Sequence, residues 1–177
     1  MKRILTAYAG VIAIAATMMG ARAAGQSKTP SATDDVVITG WALNMSNVAT
    51  GANQTIRINI NGWSSPAQRE HLITTFLEKN EDALLRELER QPDLGRFNFP
   101  GYMGPDPNNI MRLGTDIRYA MNFPGEDGGR RIVIVTPRVI SFREQTGTSR
   151  TRDYRFSLFE MRFDKSGKGE GKMAYGA

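Results

Sequence analysis

The chain has 177 residues, with 23 lysines and arginines against 18 acids, one histidine and no cysteine. The lack of cysteine excludes disulfides, thiolate metal sites and a cysteine nucleophile, and with them the lipid-attachment cysteine of a bacterial lipoprotein. The formal charge of +5 is concentrated at the start: without Lys2, Arg3 and Arg22, 20 basic residues face 18 acidic ones, a balance that does not imply a general polyanion binder.

Met1-Lys2-Arg3 is a short basic segment, and Ile4 to Met19 is an apolar run of 16 residues broken only by residues such as Thr6, Gly10 and Thr17. Ala21-Arg22-Ala23 then places small side chains at the two positions a signal peptidase reads. The pattern predicts a secretory signal peptide over 1–23, cleaved between Ala23 and Ala24. The apolar run is short of the roughly 20 residues of a membrane-spanning helix. Residues 24–34, polar and carrying Pro30, read as a flexible leader. Residues 35–177 make a single domain, long enough to bury a core without staples. The expected location is the periplasm or the exterior of a bacterium, with no stable membrane span once the signal is removed.

From Asp35 to Met45 apolar residues fall on both faces of a strand, as in a sheet interior. Ile56, Ile58 and Ile60 alternate with Arg57, Asn59 and Asn61, the period-two signature of a sheet with one wet face. Ser65-Pro66-Ala67-Gln68 marks a helix start, with serine at the N-cap, proline in the first turn and glutamine three residues after the cap. Leu72, Ile73, Phe76 and Leu77 form its apolar stripe. The helix is expected to end near Asn80 in a left-handed turn. A second helix with acids in its first turn should bury Ala83, Leu84, Leu85 and Leu88; one bent helix is the alternative.

Beyond Pro92, Arg96–Phe99 reads as a short strand and 100–114 as a long Pro/Gly/Asn loop. Asp116–Phe123 and Arg131–Thr136 read as a hairpin, and Val139–Phe142 as a short strand. In the next strand, Tyr154–Phe163, Phe159, Met161 and Phe163 lie on one face, and Tyr154, Phe156 and Leu158 on the other. Asp164–Gly169 is a glycine-rich turn into a last strand, Glu170–Tyr175. Without a β-α-β rhythm, this order predicts an α+β domain: a curved antiparallel sheet or half-barrel of about seven strands, with a helical hairpin or bent helix inserted after the second strand.

Four stretches carry a resemblance: Asp82-Ala83-Leu84-Leu85, Asp127-Gly128-Gly129-Arg130-Arg131-Ile132-Val133-Ile134, Ile140-Ser141-Phe142 and, above all, Leu158 through Met173 (LFEMRFDKSGKGEGKM). From about Trp41 onward the chain resembles a family of small exported bacterial proteins of uncharacterised function, with a longer 100–114 loop. The resemblance brings no activity with it. Relatives continue for about one more hairpin, which implies an exposed sheet edge at the last strand and reliance on a partner to complete the sheet.

No catalytic constellation stands out. His71, on the polar side of the first helix, reads as a solvated surface residue. One histidine without cysteine does not make a zinc site, which usually takes three or four N/S ligands, and no serine sits in a G-x-S-x-G context. Gly167-Lys168-Gly169-Glu170-Gly171-Lys172 lacks phosphate-loop spacing and leads into a strand, so a hairpin turn is the better reading. No cofactor or metal is implied. The acids Asp106, Asp116, Glu126, Asp127, Glu144 and Asp153 are scattered, mostly in turns; two of them across a cleft would make a carboxylate-dependent hydrolase of envelope glycans. Arg143, Arg150, Arg152 and Arg155 crowd one loop and form a candidate anion-binding patch, because arginine forks suit phosphate and sulfate. Strand aromatics suit a core, or an apolar ligand cavity within a curved sheet.

These features favour a non-enzymatic exported envelope protein that binds a partner protein or a small apolar ligand. Nucleic acid is not an expected partner.

Overall fold

The computed structural model describes residues 12–18, 35–44, 53–100, 114–125, 128–140 and 155–176. Nine strands and two helices follow in order: β1 (Ile12–Met18), β2 (Val36–Asn44), β3 (Asn53–Ile60), α1 (Pro66–Glu78), α2 (Glu81–Arg90), β4 (Gly95–Asn98), β5 (Thr115–Asp116), β6 (Tyr119–Pro124), β7 (Arg130–Thr136), β8 (Phe156–Phe163) and β9 (Lys168–Gly176). Their spatial order is β5-β4-β3-β2-β1-β9-β8-β7-β6, antiparallel throughout. The domain is thus α+β with antiparallel sheet. No described helix is long and apolar enough to cross a membrane.

The strands number more than the expected seven: in one hydrogen-bonded order of nine, β1 pairs with both β2 and β9 and so bridges two four-stranded sheets, β5-β4-β3-β2 and β9-β8-β7-β6. That strand falls inside the segment expected to be a signal peptide. A short uncharged apolar run reads equally as a signal core or a buried strand, because periodicity does not separate the two. The cleavage position Ala23–Ala24 and the leader 24–34 lie outside the described residues.

The two sheets share one core. Val36, Ile38, Ala42, Ile56, Ile58, Ile60 and Phe97 come from the first, and Ile132, Ile134, Phe159, Met161, Phe163 and Met173 from the second. At one side the sheets are joined by the chain itself. The Ile117 N–H donates to the Gly95 carbonyl at 2.9 Å, and one residue later the Arg118 N–H donates to Val135 at 3.0 Å. At the other side the join is β1.

The helices cover the outer face of the second sheet. Leu72, Leu84 and Leu88 pack on Tyr119, Val135 and Phe156. This explains why Arg130–Thr136 is apolar on both faces: Ile132 and Ile134 enter the inter-sheet core, while Val133 and Val135 lie beneath the helices. The Phe159/Met161/Phe163 and Phe156/Leu158 faces divide in the same way.

The capping box at Ser65 forms: the Gln68 N–H donates to Ser65 Oγ at 3.1 Å, and the Ser65 N–H to Gln68 Oε1 at 2.6 Å. Two helices form in place of one bent helix. Asn80 does not end α1 in a left-handed turn. Its backbone is extended (φ −169°, ψ 179°), and its side chain caps α2 by accepting from the Ala83 N–H at 2.9 Å. In α2, Leu84 and Leu88 are buried, whereas Ala83 and Leu85 are only partly so. The α1 stripe is buried only at Leu72, leaving Phe76 and Leu77 exposed. Val139 and Ile140 are not strand; buried Ile140 instead donates its N–H to Ser157 Oγ at 2.8 Å. Residues 141–142 lie outside the described residues.

Candidate functional site

The candidate surface is built on β2. Pairing along its whole length with β3 (Val36↔Ile60 through Leu43↔Asn53) fixes its register. Val36, Ile38 and Ala42 therefore enter the core, and Val37, Thr39, Trp41 and Leu43 take the outer face, since successive side chains alternate. The sequence suggested a strand buried on both sides. The structure places helices over the other sheet only, so Trp41 is 67% and Leu43 39% exposed. Their β3 neighbours on that face, Thr55 and Asn53, are polar and exposed. The signal in the sequence was the tryptophan itself, two residues from a leucine on a face with no helix assigned to it.

β1 borders this face. It pairs with β2 over seven residues, from Ile12↔Asn44 to Met18↔Ile38, and the register sets Ala13 beside Leu43 and Ala15 beside Trp41. Its pairing with β9 is shorter, at Ala16↔Gly169 and Thr17↔Lys168. On β9, Gly169 and Gly171 lie close against β8: a Cβ on Gly169 would sit 2.0 Å from the Arg162 carbonyl oxygen, and one on Gly171 2.8 Å from Met161 Cγ. The glycines of the Lys168–Lys172 run thus permit tight strand packing, and Gly167 takes the positive φ (79°) of the hairpin turn. Asp164 organises that turn, its carboxylate accepting from Ser166 N–H and Oγ at 2.7 Å each and from Lys168 N–H at 3.0 Å. The Ser166 hydroxyl and the Lys168 and Ser166 amides hold its pKa below the ordinary carboxylate value.

Of the candidate anion-binding arginines, only Arg155 is described. It pairs with Asp82, in the first turn of α2, at 3.5 Å, both side chains about half exposed. Arg143, Arg150 and Arg152 lie outside the described residues. Among the acids, Asp116 is held by Arg96 Nη2 on one oxygen (2.8 Å) and Arg118 Nη2 on the other (2.9 Å). Arg118 also donates from Nη1 to the Gln91 carbonyl at 2.8 Å, fastening the end of α2 to the sheet. This geometry makes Asp116 an anchor. Asp106, Glu126, Asp127, Glu144 and Asp153 lie outside the described residues. His71 faces Glu87 across the helix pair at 3.2 Å, so it takes part in helix packing. Among the described residues no group of three or more His, Cys, Asp or Glu side chains is placed to hold a metal ion.

Burial shifts two further groups, Tyr119 and the half-buried Arg130. Burial pushes the Tyr119 hydroxyl up, opposed by Arg69 and Arg131; the hydroxyl donates to Met121 Sδ at 3.2 Å. Burial lowers the Arg130 guanidinium. Both belong to packing under the helices and at the β6–β7 turn.

No protein-family model matches this chain, and no curated protein or solved structure matches it significantly.

Proposed function

We propose that this is an exported protein of the bacterial envelope, periplasmic or secreted, whose domain is non-enzymatic and binds a partner protein. The observation that carries the reading is the outward pair Trp41 and Leu43, exposed on a strand whose other face is sealed in the core. Isolated exposed apolar residues are ordinary. A tryptophan with a same-face leucine beside it, on a strand held along its length by β3, is the kind of anchor that dominates protein–protein binding. The export reading is supported by the basic-apolar-small order of residues 1–23 and by the resemblance to small exported proteins.

The filled space between the sheets favours a protein over a small apolar ligand. Phe159, Ile38, Ile56, Ile58, Ile132, Ile134 and Met161 occupy it without measurable solvent contact or nearly so. The anchoring of Asp116 by two arginines gives no support to carboxylate hydrolysis.

The test is expression of the full chain in a Gram-negative host, followed by fractionation and native mass spectrometry of the recovered product. The expected result is an envelope protein beginning at Ala24 that carries a reproducible additional protein mass, lost in Trp41→Ser. A product that stays in the cytoplasm overturns the export reading; one that is a bare monomer with and without Trp41 overturns the binding reading.

A further inference from the structure

The seven residues Ile12–Met18 serve two purposes that exclude each other in time. In sequence they are the apolar centre of an export signal; in the fold they are the strand that joins the two sheets. We propose that the exported domain is a strand acceptor. The place between β2 and β9 is vacated when the leader is removed, and it is then filled by an extended apolar segment donated by a partner protein. This rests on the export reading and names how the partner is held.

The edges left behind are of the kind that recruit a strand. β2 has seven register partners in β1, running past Ile38 and Ala42, which lie in the core. Without β1, backbone N–H and C=O groups along that side are unpaired next to apolar surface, which is both costly and a template for another chain. β2 and β9 do not reach each other across the gap, because removing one strand leaves them about 10 Å apart. Closing that distance means sliding one close-packed sheet over the core it shares with the other, and such interiors resist displacement. β1 is antiparallel to both neighbours, so a donated strand in the same direction satisfies both edges.

The register states what the donor looks like. Opposite the core-facing Ile38, Ala42 and Asn44 stand Met18, Ile14 and Ile12. Opposite the outward Trp41 and Leu43 stand Ala15 and Ala13. Residues directly opposite share a face of the sheet. A donor that matches this register therefore alternates large apolar and small residues, as Ile-Ala-Ile-Ala does. Residues 24–34 of this chain do not fit that pattern: Ser27, Lys28, Ser31 and Asp34 are polar, and Pro30 lacks an N–H. A second copy does not fit either. The slot needs a strand free on both sides, and β2 and β9 of another copy are each already paired on one side, with β3 and β8. The slot also borders Trp41 and Leu43, so one partner would supply the strand and cover the apolar pair.

The experiment begins with the product exported from the full chain and titrates it with a synthetic peptide of residues 10–20. The expected result is a product beginning at Ala24, a one-to-one peptide complex in native mass spectrometry, and a rise in melting temperature on binding. The same peptide with Ile14→Pro, which removes a ladder N–H, binds at least tenfold more weakly. A product that keeps residues 12–18, a cleaved leader still seated in the slot, or an Ala24 product that ignores the peptide each overturns the proposal. Trp41→Ser product separates the two readings. Its side chain faces outward, so it still takes the peptide, whereas loss of the natural partner in that variant reports on the apolar pair alone.

Discussion

Phe97 on β4 stacks on Phe159 on β8, ring centroids 4.9 Å apart, and this contact ties the two sheets across their common core. Phe99, just past the end of β4, meets Phe97 edge-on at 5.2 Å. Each of the two stacked rings belongs to a different sheet, and both are almost fully buried. Removing either leaves a hole that backbone on both sides cannot close. Phe159→Ala is expected to cost about 3–5 kcal/mol, measured by urea unfolding of the full chain. Phe97→Leu, which fills most of the volume, should cost clearly less. Equal losses would show that the ring stacking, and not the volume, holds the sheets together.

The N-cap of α1 makes a smaller and sharper test. Ser65 satisfies the Gln68 N–H, and Gln68 satisfies the Ser65 N–H in return. The helix that starts there places Leu72 against the outer face of the second sheet. Ser65→Ala should lower stability by about 1 kcal/mol, and Ser65→Gly by only a few tenths. A thermal melt that does not separate the two substitutions would mean that proline in the first turn alone sets the helix start.

How far the sequence could be read follows from which forces were local. The cap at Ser65, the Ile56/Ile58/Ile60 face and the split faces of Tyr154–Phe163 depend on neighbours within a few residues, and they form as expected where described. Asn80 was placed at the right boundary but in the wrong role, because a residue between two helices can end one or start the next and only the backbone direction decides. Phe76 and Leu77 have helical spacing yet stay exposed, since the buried face of α1 is limited to Leu72 and Thr75. The strand over Ile12–Met18 was not legible, because a short apolar run reads equally as a signal core or a buried strand. The Trp41 surface was hidden by the apolar inner face of the same strand, and only the placement of the helices on the other sheet left it open. The Asp116 anchor joins residues 96 and 118 and the end of α2, a long-range set that no spacing announces.

That anchor has a measurable weight. Asp116→Ala leaves the Arg96 and Arg118 guanidinium groups without their shared carboxylate, while the Arg118 bond to the Gln91 carbonyl remains. Because water reaches about a third of the carboxylate, the expected loss is about 1 kcal/mol. A double-mutant cycle with Arg96→Ala checks it: a coupling energy near zero would mean that the pair is merely adjacent.

The β8–β9 turn confers a dependence on acid. Asp164 is held below its ordinary pKa by the hydroxyl and amides it accepts from, so the folded state prefers the carboxylate. Its contribution is present above the unfolded-state value and is lost as pH falls through the lower folded-state value. Asp164→Asn keeps an acceptor oxygen and removes the titration. The expected outcome is a small loss of stability at neutral pH and a flatter profile on the acid side, where parent and variant converge. An unchanged acid profile would place the acid sensitivity of the protein in other carboxylates.

Trp41 and Ile38 lie on opposite faces of one strand and should respond very differently to substitution. Ile38 has no solvent exposure, and Ile38→Ala should cost about 2–5 kcal/mol. Trp41→Ser removes a larger side chain from the outer face, and stability should stay within about 0.5 kcal/mol of the parent. The chain has two tryptophans, and the other, Trp63, is partly buried against the core. Fluorescence of the Trp41→Ser protein should therefore be shifted to shorter wavelength than the parent, because the solvated contribution is gone. Binding of a partner over β2 should produce the same shift in the parent and none in the variant. A parent spectrum that stays unchanged on binding would locate the contact elsewhere, with the exposed Phe76 and Leu77 of α1 as the next surface to test.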